Sequence, residues 1–443
     1  MTLRKFALLL AAGLALASPS RAQLVGGSLP QVGGVLPGGV GGAVDGVVGR
    51  ASRLADTDRT LAMVIDVVEP YRRQARDLLR RHAAAVEADD LGRPVVRGEV
   101  AGLGISPEAL QRARAAGFAV ARQETIEGLD VSVVVLSPPR GMTAREAVRR
   151  LRDLDPAGRY DFNHIYFESG ATAAPVFAAS TTAARSGEGL RIGLVDGSAS
   201  PNHPALARVP LTQKAFAPGG ARVTAHGAAV ASLLAGSAGP FRGAAPGASL
   251  FVADVYGPTP AGGSALSVAR GLGWLAQMRT PVINVSLVGP PNTVLETAVS
   301  GLVARGHLIV AAVGNDGPGA APLYPAAYPG VVAVAGVDGR RRVLPEAGRG
   351  AHVGFAAPGA DMTAADLKGG FGRVRGSSFA APLAAGLLAQ RLSAPDPAAA
   401  RRALEALGRE ALDLGAPGPD PIYGRGLVAA ELATRPAALA ARR

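Results

Sequence analysis

The sequence predicts an α/β protein in which a doubly wound, mostly parallel sheet follows a small α+β module. The sheet is indicated by short apolar runs, several of which end at Gly or Asp, with helix-like segments between them. These runs are 190–195, 250–255, 282–287, 308–313 and 331–337. Sites in such sheets form at the carboxyl ends of the strands, and this is where the polar residues of the sequence lie.

Length and composition limit the number of domains, the class of protein and the partners and sites that it can have. The 443 residues suffice for two or three domains, and 48% hydrophobic content is typical of a globular protein. The net charge of +12 comes almost wholly from scattered arginines, with no basic stripe interleaved with aromatics, so we expect no nucleic-acid partner. Cysteine is absent, which excludes disulfides, thiolate zinc sites and cysteine nucleophiles.

The N-terminus has the pattern of a secretory signal peptide over residues 1–22. Arg4 and Lys5 precede an apolar run at 6–17, and small residues follow it. No later stretch reaches about 18 uninterrupted apolar residues, so we expect a secreted or periplasmic protein without a membrane span in its mature form. Residues 23–92 are predicted to be a Gly-rich linker and then an accessory helix, over about 68–88, without a catalytic role.

Residues 93–170 have the element order of a ferredoxin-like βαββαβ module. We predict strands at 95–100, 118–122, 131–136 and 162–167. The helices between them are predicted at 106–116, opened by Ser-Pro, and at 143–153, opened by the capping box that begins at Thr143. His164 is interpreted as a strand-surface or interface histidine.

The next boundaries follow from a change in composition. Residues 171–189 are small, polar and featureless, which predicts an exposed linker open to proteolysis. The sheet domain is predicted over 190–433, with a C-terminal tail at 434–443.

Ser378 is the first candidate functional residue. The stretch 376–382 predicts a sharp turn that places this hydroxyl at the start of a buried helix, where unpaired N–H groups stabilise negative charge. Pro382 removes the N–H that would bond the carbonyl of Ser378, and such local violations cluster at functional sites. Taken alone, Ser378 is equally well explained as a helix N-cap.

Three further polar residues follow predicted strands or open helices. Asp196 ends the first strand, His226 opens a small-residue helix, and Asn315 follows the strand at 308–313. Each alone is also an ordinary turn or helix-start residue. Together with Ser378 they supply what acyl transfer requires: a nucleophile, a base, a carboxylate that orients the base, and an amide donor for the oxyanion.

The order Asp196, His226, Asn315, Ser378 and the surrounding sequence resemble the subtilisin family of serine proteases, over about 190–433. The resemblance implies that Asp196 orients His226, that His226 is general base and acid, and that Ser378 attacks. It also implies an oxyanion hole made by Asn315 and the backbone N–H of Ser378. The module before the sheet domain resembles the family's propeptide, a folding aid and inhibitor. The substrate-binding residues that the resemblance implies are Ser286, Leu287, Gly289, Ala312 and Gly314.

Three motifs depart from the family pattern. The usual Asp-Thr/Ser-Gly is Asp196-Gly197-Ser198, the usual His-Gly-Thr-His is His226-Gly227-Ala228-Ala229, and the usual Gly-Thr-Ser-Met is Gly376-Ser377-Ser378-Phe379. No triad member is lost, so the departures bear on rate more than on reaction. Calcium is common in the family, but no site can be assigned from the sequence, and we expect no other cofactor or metal.

The sequence therefore predicts a secreted serine endopeptidase, acting on proteins or peptides and made as a precursor that its own propeptide inhibits. Release is expected to require a cut within 171–189. The alternative is a catalytically weak or inactive binding protein on the same scaffold. An α/β-hydrolase esterase ranks low, because the Gly-x-Ser-x-Gly motif is absent around Ser378 and the residue order differs.

Overall fold

The computed structural model describes residues 70–176 and 185–434. The predicted signal peptide, Gly-rich linker and C-terminal tail beyond 434 lie outside the described residues. The described chain begins with helix α1 (Pro70–Arg81) and strand β1 (Val86–Ala88). The predicted helix is therefore shorter than 68–88, because the chain turns after His82 and residues 86–88 pair with the next strand.

The module that follows has the predicted element order. Strand β2 pairs antiparallel with β1, β4 and β5, and β4 pairs with β3. The elements are β2 (Pro94–Leu103), α2 (Pro107–Ala115), β3 (Ala119–Ile126), β4 (Val131–Ser137), α3 (Ala144–Leu154) and β5 (Arg159–His164). Ser106 caps α2, and Thr143 with Glu146 forms the predicted capping box of α3. The sheet begins earlier than residue 93, since β1 belongs to it.

Two predictions at the end of the module are corrected. The strand expected at 162–167 ends at His164, and strand β6 (Phe167–Glu168) pairs instead with β14 (Leu287–Val288) of the following domain. Residues 171–176, expected to be exposed linker, form strand β7 (Ala171–Val176), because their backbone finds a partner in β19 (Phe371–Arg375). Both strands form because they pair with a backbone partner more than 100 residues away. The local sequence gives no information about such a partner.

The central sheet has seven strands in the order β17-β16-β15-β13-β8-β12-β9, and every pair is parallel. The strands are β8 (Arg191–Asp196), β9 (Leu211–Ala215), β12 (Ser249–Asp254), β13 (Val282–Val285), β15 (Leu308–Ala312), β16 (Val332–Val337) and β17 (Val353–Pro358). Because β9 and β12 lie on one side of β8 and the later strands on the other, the carboxyl end of β8 is at the switch point where sites form. The run 282–287 is not one strand, since the chain leaves the sheet at Ser286 to form β14.

Helices cover both faces of this sheet, which confirms the predicted doubly wound α/β class. One hydrophobic core contains α4, α7 and α8, and the other contains α5 and α6. These helices are α4 (Ala225–Ala235), α5 (Ala265–Gln277), α6 (Thr293–Ala304), α7 (Ser377–Ala389) and α8 (Pro397–Glu410). The remaining elements are β10 (Ser237–Ala238), β11 (Phe241–Arg242), β18 (Met362–Ala365) and a 3₁₀ turn (Ala430–Leu432).

The module packs on α5 and α6. Its residues Leu103, Ile126 and Val133 belong to the same hydrophobic core as those helices. The carboxylate of Asp161 accepts from the N–H of Thr293 at 2.7 Å, and Asn163 Oδ1 accepts from the N–H of Leu266 at 3.2 Å. The module thus satisfies orphan N–H groups at the starts of both helices, where the helix dipoles favour an acceptor.

No helix among the described residues is both long and apolar enough to cross a membrane.

Candidate active site

Two of the predicted residues form a buried pair at the switch point. Asp196 is the last residue of β8, and His226 is the second residue of α4. His226 Nδ1 lies 2.9 Å from Asp196 Oδ2 and 3.1 Å from Oδ1, and both residues are almost fully buried. A carboxylate accepts only, so Nδ1 carries a proton and the lone pair of a neutral ring is on Nε2.

The charge on this pair also depends on a second carboxylate, that of Glu168 in β6. One oxygen of Glu168, one of Asp196 and one ring nitrogen of His226 lie within 4.8 Å of one another. Burial works against protonation of His226, but the charges of Asp196 and then Glu168 outweigh it and raise the pKa of His226 to about 9. Burial also raises the pKa of Glu168, with His226 opposing the shift.

Ser378 lies in the first turn of α7, behind Gly376. Pro382 follows inside the helix and leaves the carbonyl of Ser378 without its usual N–H donor. The hydroxyl of Ser286 supplies the missing hydrogen bond, donating to Ser378 O at 2.9 Å, and is itself bonded to Asn284 Nδ2. The hydrogen bond lost to Pro382 is therefore replaced by Ser286, a residue to which the family resemblance assigns substrate binding.

The side chain of Ser378 is not hydrogen-bonded to His226. Its Oγ donates to the carbonyl of Ser286 at 3.3 Å, and His226 Nε2 is buried without a hydrogen-bond partner among the described residues. The imidazole nevertheless packs beside the start of α7, with its centroid 5.3 Å from the ring of Phe379. Serine has three staggered χ1 positions, and hydrogen bonds of catalytic groups are often long or absent until the reacting complex forms.

Asn315 is oriented by Ser377, the residue before Ser378. Its Oδ1 accepts from the N–H of Ser377 at 3.0 Å, which leaves the amide NH₂ pointing into the cleft. The hydroxyl of Ser377 bonds the N–H and the carbonyl of Gly314, at 3.1 and 3.2 Å. Ser377 thereby fixes both Asn315 and Gly314, two residues that the sequence assigned to the site.

The cleft holds a segment of the chain itself. Strand β6 pairs antiparallel with β14, with Glu168 opposite Leu287, and the N–H of Ser169 donates to the carbonyl of Ser286 at 3.3 Å. The carbonyl of Ser169 accepts from the N–H of Ser378 at 3.2 Å, and Asn315 Nδ2 donates to Ser169 Oγ at 2.9 Å. Of the two donors expected for an oxyanion, the N–H of Ser378 therefore bonds the carbonyl of Ser169, and the amide of Asn315 bonds the hydroxyl of the same residue.

Glycines allow this close approach. Gly376 has a φ of +133°, and a Cβ there would lie 3.0 Å from both Asn315 Nδ2 and Gly170 Cα. A Cβ on Gly289 would lie 2.4 Å from the ring of Tyr166, whose hydroxyl donates to the carbonyl of Pro290 at 2.6 Å. Gly289 thus leaves room for the side chain three residues before Ser169. Ala312 ends β15, two residues before Gly314, and is fully buried.

Two further segments border the cleft. Beyond Gly170 the chain continues as β7 along β19, so the backbone runs through the cleft without a break. From the other direction, the N–H of Tyr71 in α1 donates to Asp316 Oδ1 at 2.9 Å, next to Asn315. The predicted accessory helix therefore reaches the cleft, and the ring of Tyr71 contacts that of Phe167 edge-on at 5.5 Å.

The altered motif after Asp196 has a steric reason. A Cβ on Gly197 would lie 2.3 Å from Thr224 Cγ2, so the usual Thr or Ser does not fit at this position. Thr224 is the N-cap of α4 and accepts from the N–H of Gly227 at 2.9 Å. The hydroxyl that the family places at the next residue is one position later, on Ser198, and it donates to Asp254 at 2.7 Å.

Among the described residues, one group of three His, Asp or Glu side chains is close enough to hold a metal: Glu168, Asp196 and His226. It includes an imidazole and occupies the cleft, so it is not the all-oxygen set that calcium takes. No calcium site is assigned.

Sequence reasoning missed the residues that touch the site from neighbouring segments. Glu168, Ser169 and Ser377 carry no motif of their own, although Ser377 stands in the motif around Ser378. Asp254 lies near the end of the predicted run 250–255, and its position close to the carboxyl end of a strand was an available signal.

Comparison with known proteins agrees with this geometry. The family model described as the subtilase family matches residues 187–426. Subtilisin Savinase of Lederbergia lenta is 35% identical over 197 residues, which are 44% of this chain and 70% of that protein. The minor extracellular protease Epr of Bacillus subtilis is 29% identical over 246 residues, covering 55% of this chain and 38% of Epr.

The fold is also that of a solved structure. Fervidolysin from Fervidobacterium pennivorans, a keratinolytic enzyme related to subtilisin, matches with a TM-score of 0.63 and 19% identity, over 78% of this chain and 62% of that one. This likeness bears on the fold alone, and the chain spans much less than the full length of Epr. The family match covers more than half of the chain, and it shows that the chain belongs to the subtilase family.

Proposed function

We propose that the chain is a serine endopeptidase made as a self-blocked precursor, and that its first substrate is its own Ser169–Gly170 bond rather than a bond within 171–189. The observation that carries the proposal is the 3.2 Å hydrogen bond from the N–H of Ser378 to the carbonyl of Ser169. The antiparallel pairing of β6 with β14 presents this carbonyl as a peptide substrate would be presented. The bond lies just before the linker 171–189 in which the sequence placed the cut.

The proposed chemistry is acyl transfer by Asp196, His226 and Ser378. Ser378 Oγ attacks the carbonyl carbon of Ser169 while its proton passes to His226 Nε2, and Asp196 stabilises the imidazolium. The N–H of Ser378 and the amide of Asn315 hold the oxyanion. The imidazolium then protonates the nitrogen of Gly170 as the peptide bond breaks. Water hydrolyses the Ser169 ester, which regenerates the hydroxyl of Ser378.

We assign the βαββαβ module the role of folding aid and inhibitor. Its supports are the contacts of Asp161 and Asn163 with the starts of α6 and α5, and the delivery of segment 166–170 into the cleft. Once the bond is cut, the same contacts would hold the module in place as a bound product.

Proteins or peptides are the proposed external substrates. The pairing edge of β14 bonds the main chain, which every peptide carries, and Tyr166 beside Gly289 marks where a substrate side chain would lie. We further propose export through the leader at residues 1–22. The word "extracellular" in the name of the relative Epr is consistent with this destination.

The test is to purify the full chain as wild type, as Ser378→Ala and as Ser393→Ala, the last an exposed serine beyond α7 that serves as a matched control. Wild type and Ser393→Ala should convert to two fragments, the larger beginning at Gly170 by intact mass. Ser378→Ala should remain whole. Conversion of Ser378→Ala at the wild-type rate, with no other protease present, would contradict the proposal.

The second candidate is a binding protein on an inactive subtilase scaffold. The missing hydrogen bond between Ser378 and His226 is the observation that favours it. A fluorophosphonate probe separates the two, because only an activated serine forms the covalent adduct. Labelling of Ser378 after processing would exclude the binding protein, and an unlabelled, unprocessed chain would support it.

A further inference from the structure

We propose that Asp254 is a positioning residue for the reaction, because it joins the turn that follows Asp196 to the loop that precedes His226. The inference rests on the proposed function and adds to it a residue outside the triad and the oxyanion hole. Asp254 touches neither the substrate segment nor the reacting atoms in the contacts of the described residues, so its role would be exerted through Asp196 and His226.

Asp254 is the last residue of β12, directly opposite Asp196 in the parallel register of β12 with β8. It is fully buried, and both carboxylate oxygens are occupied. Oδ2 accepts from the hydroxyl of Ser198 at 2.7 Å and from the N–H of Arg222 at 2.6 Å. Oδ1 accepts from the N–H groups of Tyr256 and Gly257 at 3.1 and 3.2 Å. Four donors on one buried carboxylate fix it in a single position.

The two segments that Oδ2 joins are those that carry the Asp–His pair. Ser198 lies two residues after Asp196, and Arg222 lies four residues before His226. Their backbones are also bonded to each other, since the N–H of Ser198 donates to Arg222 O at 2.9 Å and the N–H of Thr224 donates to Ser198 O at 3.1 Å. Asp254, at the end of β12, therefore holds the turn after Asp196 against the loop before His226. These three segments form a junction.

The junction has little freedom to adjust. A Cβ on Gly227 would lie 2.3 Å from the carbonyl oxygen of Gly197, and a Cβ on Gly197 would lie 2.3 Å from Thr224. A shift of either segment would move the N-cap of α4, and with it the ring of His226 relative to Asp196. A misplacement of about 1 Å in a catalytic group can lower a rate roughly 100-fold.

Asp254 also accounts for the position of the Ser198 hydroxyl, which lies one residue later than in the family pattern. With Gly at 197, no side chain at that position can support the turn after Asp196. The hydroxyl of Ser198 reaches the turn's neighbour strand instead, and Asp254 is the acceptor that it finds there. The altered motif at 196–198 and the buried Asp254 thus act together to support the turn after Asp196.

The experiment measures the first-order rate of Ser169–Gly170 cleavage in the full chain, a single intramolecular turnover that needs no substrate binding from solution. In Asp254→Asn, the amide oxygen can still accept from the N–H groups of Tyr256 and Gly257. The amide NH₂ then faces the N–H of Arg222, so that two donors oppose each other without an acceptor. We expect cleavage to slow by about 10- to 100-fold. Ser198→Ala removes one donor and keeps the carboxylate, and we expect a loss of about threefold to tenfold.

The matched control is Asp420→Asn. Asp420 Oδ1 accepts from the N–H groups of Ile422 and Tyr423, two and three residues later, at 2.7 Å each, which is the same turn that Asp254 makes with Tyr256 and Gly257. The melting temperature of each uncleaved chain is measured in a Ser378→Ala background. Asp420→Asn should lower stability without slowing cleavage.

Cleavage of Asp254→Asn and Ser198→Ala at the wild-type rate, whatever their stability, would overturn the inference and leave the proposed function standing. Loss of cleavage in proportion to loss of fold, in both variants and in Asp420→Asn alike, would also overturn it. A wild-type chain that does not cleave would instead overturn the proposed function. If Asp254→Asn does not fold, Ser198→Ala alone decides.

Discussion

The described residues include two buried Asp–His pairs, and the two imidazoles have opposite hydrogen-bond patterns. In the module, His164 Nδ1 faces the amide nitrogen of Asn292 at 3.1 Å, and Nε2 faces Asp89 at 3.1 Å. Asn292 Oδ1 already accepts from Val294 and Leu295, so its NH₂ is the group that donates to His164. The proton of His164 is therefore on Nε2, and both ring nitrogens are in use.

His226 has the other arrangement. Its Nδ1 is held by Asp196, and Nε2 is buried without a hydrogen-bond partner among the described residues. A buried polar atom left without a partner is costly unless it is used. An imidazole held by an aspartate can act as a base only when its other ring nitrogen is left available, and of these two histidines His226 alone meets this condition. The contacts of His164 instead join the module to α6.

The largest effect that tests this comparison is expected from His226→Ala. Removing the base should slow cleavage of the Ser169–Gly170 bond by about 1,000-fold or more, because Ser378 then has no acceptor for its proton. The cleavage rate of the full chain is the measurement. Cleavage that survives in His226→Ala but stops in His164→Ala would reverse the assignment of the two histidines.

His164→Ala should give a smaller effect of a different kind. The variant loses the contacts with Asp89 and Asn292, but both partners keep others, Arg93 for Asp89 and the carbonyl of Phe162 for Asn292. We expect a loss of about 1–3 kcal/mol in the unfolding free energy of the Ser378→Ala chain. Cleavage in the active chain should change less than about tenfold.

Thermal or denaturant unfolding measures that loss, with the exposed His82→Ala as control. An unchanged unfolding free energy in His164→Ala would show that the contacts between the module and α6 do not depend on this histidine.

The sequence predicted the parts of the fold that local patterns determine. The element order of the module and five of the seven strands of the central sheet follow from short apolar runs and capping residues such as Thr143, and the α/β class is confirmed. The two outermost strands of that sheet, β9 and β17, were not predicted. The sequence also did not predict β6, β7 or the end of the run at 282–287. Each of these depends on pairing with a distant strand, and periodicity within a segment carries no information about such a partner.

The same division holds for the site. Asp196, His226, Asn315 and Ser378 could be selected because they lie where strands end and helices begin, and the structure places all four around one cleft. The contacts of Glu168 with His226, of Ser169 with Ser378 and of Asp254 with Ser198 could not be predicted, because each joins groups that are far apart in the sequence. Their roles, like those of the triad, remain predictions for the experiments proposed here.

The smallest effect is expected from changing Glu168, and it tests how the charges around the two Asp–His pairs differ. Beside His164, the carboxylate of Asp89 also forms an ion pair with the guanidinium of Arg93, so a cation lies near this histidine. Beside His226 there are two carboxylates, and together they raise the pKa of His226 to about 9. At pH 7 such a pKa leaves roughly one imidazole in a hundred neutral. Since only neutral His226 can take the proton of Ser378, cleavage of the wild-type chain should speed up as the pH rises toward 9.

Glu168→Gln removes one of the two charges that favour the imidazolium. The pKa of His226 should fall, the neutral fraction at any pH below it should rise, and cleavage at pH 7 should quicken by up to about tenfold. Cleavage rates from pH 6 to 10 in the full chain measure the shift, with Glu405→Gln on the exposed surface of α8 as the control. A profile in Glu168→Gln that coincides with the wild-type profile would mean that the carboxylate of Glu168 does not control the charge of His226, and that Asp196 alone sets it.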